Sequence, residues 1–108
     1  MLIKSSLFVP KRFKAYTVGP LIFIRPESID DIGLIEHERV HVRQFFRTLG
    51  LFPFFYLLSN KFRLNVEVEA YKVQIKYGLN IETAGKFLAT KYRLNITQEE
   101  AIKILNNQ

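Results

Sequence analysis

The sequence predicts an α+β fold in which a small antiparallel β-sheet or hairpin precedes about four helices. Two patterns support this prediction. Up to residue 27, short runs of β-branched and aromatic residues alternate with Gly and Pro, which is typical of strands and turns. From residue 28 onwards, apolar residues recur at helical spacing between residues that begin and end helices. Because the chain has 108 residues, we expect a single domain over 1–108, with a β region at 1–27, two long helices within 28–78 and C-terminal helices at 79–108.

Two segments, 2–9 and 15–25, are predicted to be extended. The second contains the run Leu21-Ile22-Phe23-Ile24, whose β-branched and aromatic side chains favour a strand. Arg25-Pro26 closes this run, and Gly19-Pro20 separates it from the weakly alternating residues before it. A small antiparallel sheet or hairpin is the simplest arrangement of these segments.

The first long helix is predicted to begin near residue 29. Ser28 and Asp31 resemble a capping box, in which side chains at the start of a helix bind its main-chain N–H groups. The acidic Asp30 and Asp31 also suit the positive end of the helix dipole. Gly50 offers a C-terminal stop, because glycine readily adopts the left-handed conformation found there.

A second long helix is expected from about Arg63 to Tyr77. Asn60 or Asn65 is a candidate cap at its start, since either side chain can accept a main-chain N–H. Gly78 is the candidate stop at its end.

Two shorter helices are expected after the second long helix. Asn80 would cap one that runs toward Tyr92. Thr97 and Glu100 form a capping box for the last helix, at 98–106.

The apolar segment Leu51–Leu58 is predicted to be buried packing, because a domain this small needs large side chains to fill its core. The run from Leu49 to Leu58 is interrupted by Gly50 and Pro53 and is about half the length that a helix needs to span a bilayer. We therefore expect no transmembrane span. Contact of Leu51–Leu58 with a membrane surface or a protein partner remains open.

Composition and charge narrow the class of protein. Hydrophobic residues make up 48% of the chain, which favours a globular protein over a disordered one. The net charge of +6 permits an acidic partner, but no basic run resembles a nucleic-acid motif, so we expect no specific nucleic acid. The chain has no cysteine, and residues 1–10 lack the apolar core of a signal peptide. We expect a cytoplasmic protein, or a virion component if a phage encodes it.

The central motif of the sequence is His37-Glu38-Arg39-Val40-His41, which reads H-E-x-x-H. Two histidines at this spacing differ by about 40° around a helix axis, so both imidazoles leave one face and can bind one metal ion. Glu38 then lies beside the open coordination position of the metal. This layout is typical of a metal-activated water with a carboxylate as general base.

A catalytic zinc requires a third protein ligand. The chain has two histidines and no cysteine, so this ligand must be an oxygen. The best candidates are Glu67 and Glu69, which lie on the predicted second helix. They point about 200° apart around its axis, so only one of them can reach the metal.

The sequence resembles the gluzincin metallopeptidases, in which a second helix supplies a glutamate, often as E-x-x-A-D or E-x-E-A. Glu67-Val68-Glu69-Ala70 fits that pattern with Glu67 at the ligand position. His41-Val42-Arg43-Gln44 also looks like the H-x-x-Q continuation of small, uncharacterised metallopeptidase-like proteins of bacteria and phages. The resemblance implies that His37, His41 and Glu67 are the zinc ligands and that Glu38 is the base.

Tyr71 departs from the gluzincin pattern, because many relatives carry there an aspartate that orients a ligand histidine. Either another acid, such as Glu69 or Glu36, holds the imidazole N–H, or the site is tuned differently. The oxyanion of the reaction would need a donor besides the metal. Tyr71 is the preferred donor, with Tyr56, an arginine or the metal alone as alternatives, and ordinary aromatic packing is an equally good interpretation of Tyr71.

The expected function is that of a minimal zinc-dependent peptidase acting on a peptide or protein substrate. In zincins generally, an edge strand near the motif helix pairs with an extended substrate. The candidate strand comprises Leu21, Ile22, Phe23 and Ile24, which could equally be a core strand. The alternative function is a metal-binding or structural module without turnover, for example a phage assembly component with a protein partner.

Overall fold

The structure is a computed structural model that describes residues 2–5, 9 and 13–107. In this part of the chain, strands lead into helices, as the predicted α+β class requires, but the helices number five rather than about four. The elements are β1 (Leu2–Lys4), β2 (Ala15–Val18), β3 (Leu21–Ile24), α1 (Ile32–Arg47), α2 (Phe52–Leu58), α3 (Asn60–Lys76), α4 (Ile81–Thr90) and α5 (Gln98–Asn106). Residues 6–8 of the predicted extended segment 2–9 lie outside the described residues.

The sheet is mixed rather than purely antiparallel. Its strand order is β1-β3-β2, with β3 antiparallel to β2 and parallel to β1. The hairpin between β2 and β3 turns at Gly19-Pro20, where Gly19 has a φ of +59°, a conformation that favours glycine. Strand β3 therefore lies between β1 and β2. It runs in the same direction as β1 and in the opposite direction to β2.

The prediction that Leu21, Ile22, Phe23 and Ile24 form an edge strand is wrong. These residues form β3, which pairs with a strand on both sides, so its main-chain groups cannot also pair with a substrate. Ile22 and Ile24 are also buried. Within the described residues, the strand with one unpaired side that packs against α1 is β2.

Both long helices begin at different residues from those predicted. The cap of α1 is Asp31, whose carboxylate accepts the N–H of Leu34 at 3.0 Å; Ser28 instead lies in a 3₁₀ turn that begins at Pro26. The cap of α3 is Ser59, whose hydroxyl accepts the N–H of Phe62 at 3.1 Å. Neither Asn60 nor Asn65 caps α3, because the helix has already begun at Asn60.

The remaining caps agree with the sequence prediction. Asn80 caps α4 by accepting the N–H of Glu82, although α4 ends at Thr90 rather than near Tyr92. Thr97 and Glu100 form the predicted capping box of α5, and each side chain binds the main-chain N–H of the other residue. Gly78, with a φ of +110°, follows the end of α3.

The prediction that Leu51–Leu58 is buried packing is wrong. Most of this segment forms α2, and no residue of α2 is fully buried. A helix of only two turns can place one face against the domain, and the inward residues of α2 are Phe52 and Tyr56, which stack on one another. The apolar residues on its other faces remain exposed.

Helix α3 lies at the centre of the helical part and packs on two sides. One side contacts α1, where Gly33 allows close approach: a Cβ atom at this position would lie 3.0 Å from Cβ of Tyr77. The other side contributes Val68 and Tyr71 to the hydrophobic core formed with α4 and α5. Because α3 is held on both sides, its side chains toward α1 have fixed positions.

No helix among the described residues combines the length and apolarity needed to cross a membrane.

Candidate metal centre

Three buried side chains converge between α1 and α3. His37 and His41 lie one turn apart on the face of α1 that packs against α3, and they are 2% and 7% exposed. Glu67 projects from α3 toward them and is 3% exposed. Its Oε1 lies 3.4 Å from Nε2 of His37 and 3.1 Å from Nε2 of His41. The structure therefore brings together the three residues expected to be ligands.

These separations suit a shared metal ion. Nitrogen and carboxylate ligands bind zinc at about 2.0–2.2 Å, which in a tetrahedral arrangement keeps the ligand atoms about 3.3 Å apart. One ligand atom from each of the three residues can be chosen so that all lie within 4.8 Å of one another. The His-His-Glu group could hold a metal ion without rearrangement of α1 or α3.

Without a metal, the charge of Glu67 is balanced by the histidines. Burial disfavours the charged form of His41, but the adjacent Glu67 carboxylate outweighs burial and raises the pKa of His41 to about 9. Burial likewise opposes ionisation of Glu67, yet His41 and His37 hold its pKa well below the usual range. A metal ion at the three ligand atoms would take over the role of this positive charge.

The second oxygen of Glu67 is held by Tyr56 of α2. The hydroxyl of Tyr56 donates to Oε2 of Glu67 at 2.6 Å. Burial and the nearby Glu67 carboxylate raise the pKa of Tyr56 far above its usual value, so the hydroxyl keeps its proton and remains a donor. Tyr56 thus fixes the carboxylate with Oε1 directed at the two histidines.

The imidazole of His41 is oriented by Gln44, three residues further along α1. Nδ1 of His41 donates to Oε1 of Gln44 at 2.8 Å. The amide nitrogen of Gln44 donates in turn to the main-chain oxygen of Val66 and to Oε1 of Glu69. Binding of a metal ion requires a neutral imidazole. In that form, this chain of hydrogen bonds keeps the proton of His41 on Nδ1 and leaves Nε2 for the metal. It also gives the glutamine of the H-x-x-Q pattern a structural role.

Glu69 lies outside the ligand group. Its side chain is 45% exposed and forms an ion pair with Arg47 at 2.9 Å. Among the described residues, its link to the site runs through Gln44. Of the two glutamates weighed as third ligand, Glu67 therefore faces the histidines, because Glu69 points away from them around the axis of α3.

His37 is held by packing rather than by a hydrogen bond on its outer nitrogen. Within the described residues, its buried Nδ1 has no hydrogen-bond partner. The ring of Tyr71 packs edge-on against the imidazole with centroids 4.3 Å apart. The other proposed acid, Glu36, pairs with Arg39 instead. Neither Glu69 nor Glu36 takes the place of the aspartate expected in gluzincins.

Glu38 is oriented by the sheet. Its carboxylate is nearly buried, and Oε1 accepts a hydrogen bond from the hydroxyl of Thr17 in β2 at 2.8 Å. Oε2 lies 3.8 Å from Nε2 of His37. The carboxylate therefore keeps one oxygen near the ligand group, which is the position expected of a general base. Sequence reasoning did not identify Thr17, because only the packing of β2 on α1 brings it to Glu38.

A cleft of about 730 Å³ opens over the ligand group. Its walls come from β2, from α1 and α2, and from the segment that follows α4. Tyr56 and Tyr92 line this cleft, whereas Tyr71 does not. The hydroxyl of Tyr71 lies 2.7 Å from that of Tyr92, so the structure does not place the preferred oxyanion donor at the cleft surface.

Arg63 lines the same cleft, but its guanidinium is already engaged. It donates to the main-chain oxygens of Tyr92 and Tyr56 and to the side-chain oxygen of Asn60. Arg63 thus ties α2 and α3 to the segment after α4 and fixes one wall of the cleft.

In a comparison with known proteins, no protein-family model, curated protein or solved structure matches the chain.

Proposed function

We propose that this protein is a zinc-dependent peptidase. The observation that carries the proposal is the convergence of His37, His41 and Glu67 at the floor of a cleft, with the Glu38 carboxylate beside them. Three protein ligands and an accessible fourth position are typical of catalytic zinc, whereas structural zinc sites usually have four protein ligands.

Zinc is the metal that suits this donor set best. Two imidazole nitrogens and one carboxylate oxygen match the His₂Glu set of known zinc peptidases. Magnesium and calcium prefer sites built from oxygen ligands alone. The close spacing of the ligand atoms, 3.1 and 3.4 Å from Oε1 of Glu67, favours a small ion with few ligands.

The roles of the protein residues follow from their positions. Zinc would supply a Lewis acid that lowers the pKa of water and polarises a carbonyl group. Oε2 of Glu38 is the atom that receives the proton of the attacking water and then delivers it to the leaving amine. Thr17 holds the other oxygen of Glu38 and so keeps Oε2 directed at the site. Tyr56 holds Glu67.

Strand β2 is the proposed binding edge for an extended substrate. All four of its residues, Ala15–Val18, line the cleft, and in the described part of the chain β2 pairs on one side only. A peptide added to this side would run along the cleft beside Glu38, because Thr17 of β2 contacts Glu38 directly. This assignment replaces the one to Leu21–Ile24.

One observation favours a second candidate function, a metal-binding module without turnover. Histidine ligands of zinc almost always donate their outer N–H to an acceptor, and Nδ1 of His37 has no such acceptor among the described residues. Metal content does not distinguish this module from a peptidase, because both would bind zinc. Turnover does.

The proposal is tested by assaying the zinc-loaded protein on an unfolded protein and on a mixture of peptides, with mass spectrometry of the products. We expect cleavage that stops when a chelator removes the metal and returns when zinc is added back. A protein that binds zinc and cleaves no peptide bond in either substrate would favour the metal-binding module.

Thr17→Val is expected to lower kcat by about tenfold without lowering zinc content. Valine matches the shape of threonine but removes the hydroxyl that orients Oε1 of Glu38, so proton transfer loses part of its contribution. The measurement is steady-state kinetics beside elemental analysis. Thr90→Val is the matched control, since Thr90 binds only the main chain of α4, and it should leave both quantities unchanged. An unchanged kcat in Thr17→Val would refute the orienting role.

A further inference from the structure

A large apolar surface is exposed between the end of α1 and the end of α2. Seven large hydrophobic side chains in this stretch are between 44% and 89% exposed. They are Phe46, Leu49, Leu51, Phe54, Phe55, Leu57 and Leu58, and we call them the apolar patch. Exposed hydrophobic residues scattered singly are normal, but a concentration of this kind indicates an interaction surface.

Helix α2 divides its residues between the metal site and the apolar patch. Phe52 and Tyr56 face inward, where the ring of Phe52 lies 6.0 Å from that of His41 and Tyr56 binds Glu67. Phe54 and Leu58 follow helical spacing on another face and are 65% and 83% exposed. Leu57, 75% exposed, lies at the border between this face and the cleft, which it also lines. The exposed face is therefore a defined side of a folded helix.

The residues around the apolar patch are basic. From Arg39 to Val66 the sequence contains no aspartate or glutamate. The basic residues of this segment are Arg39, Arg43, Arg47, Lys61 and Arg63. Between Arg47 and Lys61 no residue is charged. Arg47 pairs with Glu69, so the exposed positive charges next to the apolar patch that have no ion pair within the described residues are those of Arg43 and Lys61.

We infer that the apolar patch binds the surface of an anionic membrane. Leucine and phenylalanine side chains on one helical face, with lysine and arginine beside them, are the features of segments that lie in the interface of a bilayer. Basic residues next to such a face are attracted to anionic lipid headgroups. The inference does not depend on the proposed peptidase activity.

A second copy of the chain fits the apolar patch less well. In a two-fold dimer the same surface meets itself, so the basic residues at the ends of one patch would approach those of the other. Glu69 pairs with Arg47, but within the described residues no carboxylate forms an ion pair with Arg43 or Lys61. An anionic lipid surface supplies the missing negative charge.

The inference is tested by sedimentation of the purified protein with vesicles. Binding is expected to vesicles of phosphatidylcholine mixed with phosphatidylserine, and to be weaker with phosphatidylcholine alone or at high salt. The double variant Phe54→Ser/Leu58→Ser should bind at least about tenfold more weakly, because it removes two large apolar side chains from the contact. Ile32→Ser is the matched control: Ile32 is 62% exposed but lies more than about 20 Å away along α1.

Lys61→Gln tests the electrostatic part separately. It should weaken binding to the anionic vesicles by a few-fold, whereas Lys103→Gln on α5 should not. Absence of wild-type binding to anionic vesicles would overturn the inference, as would equal binding by the double variant and the Ile32→Ser control. A concentration-dependent dimer that only the double variant abolishes, in a protein that ignores vesicles, would assign the apolar patch to a second copy.

A fluorescent reporter detects entry of the apolar patch into the membrane directly, without relying on the amount of protein that sediments with the vesicles. The chain contains no tryptophan, so Leu58→Trp introduces a single one at a position of α2 that is 83% exposed. Its emission should shift to the blue when anionic vesicles are added, because the indole enters the interface. Ile32→Trp should show no shift. The same emission from both variants with and without vesicles would contradict membrane insertion of the apolar patch.

Discussion

Glu38→Gln is expected to lower kcat/KM for peptide cleavage by about a hundredfold to ten-thousandfold while zinc content stays unchanged. Glutamine keeps the size of the side chain and can still accept the hydrogen bond of Thr17 at its amide oxygen. It cannot accept the proton of water, so general-base catalysis is lost. Glu38 is also not one of the three residues that form the ligand group, which is why metal binding should persist.

The kinetic assay of Glu38→Gln needs a matched control. Glu36→Gln changes a neighbouring carboxylate on α1 that pairs with Arg39 on the surface, and its activity should equal that of the wild type. Cleavage by Glu38→Gln at the wild-type rate would remove Glu38 from the mechanism. Loss of zinc together with activity would instead make Glu38 part of the metal site.

Glu67→Ala is expected to weaken zinc binding by more than about a hundredfold. Loss of a residue that only orients a ligand weakens metal binding by about a hundredfold at most, and loss of a ligand itself should cost more. Glu69→Ala provides the comparison within the same helix. In the part of the chain that the structure describes, Glu69 contacts the site through Gln44, so its removal should weaken zinc binding by about tenfold at most. The measurement is competition with a chromogenic chelator at fixed pH.

Folding must be controlled in the Glu67 variants. Removal of this carboxylate leaves His41 and His37 buried without their counter-charge, and the loss of one partner from a buried ion pair can cost several kcal/mol of stability. Glu67→Gln retains an oxygen that can accept the hydrogen bond of Tyr56 and serves as the second variant. Equal zinc affinity of folded Glu67→Gln, Glu69→Ala and wild type would refute Glu67 as a ligand.

The His-His-Glu group was the part of the structure most open to prediction from sequence. The spacing of His37 and His41 places both imidazoles on one face of a helix wherever that helix lies in the fold. The choice between Glu67 and Glu69 needed only their opposite directions on α3 and a resemblance to a known pattern. Each of these arguments is local, so it does not depend on tertiary packing.

Features that depend on packing were predicted less well. The sequence of Leu21–Ile24 is equally compatible with an edge or a central strand, and only its pairing with β1 on the other side decides the matter. Leu51–Leu58 has no polar face that would mark its exposed side, so its exposure could not be inferred. The contact between Thr17 and Glu38 joins residues 21 positions apart and carries no signal in the sequence.

Tyr71 lies where the gluzincin pattern would place an aspartate, and its side chain contacts His37 by packing. At the position where an aspartate was expected, its aromatic ring packs against the imidazole of His37, and its hydroxyl binds Tyr92 in place of a histidine nitrogen. Within the described residues, His37 is therefore held by packing and not by a hydrogen bond to Nδ1. Sequence identified the departure from the pattern, while its consequence required the direction of the side chain.

The zinc content of the purified protein tests most directly the claim on which the whole account rests, that His37, His41 and Glu67 form a metal centre. Elemental analysis of the wild type should give about one zinc per chain, as expected for a single set of three protein ligands. His37→Ala, folded by circular dichroism, should contain almost none. A wild-type protein that binds no zinc even when zinc is supplied in excess, or a His37→Ala variant that retains it, would contradict the assignment of His37, His41 and Glu67 as the metal centre.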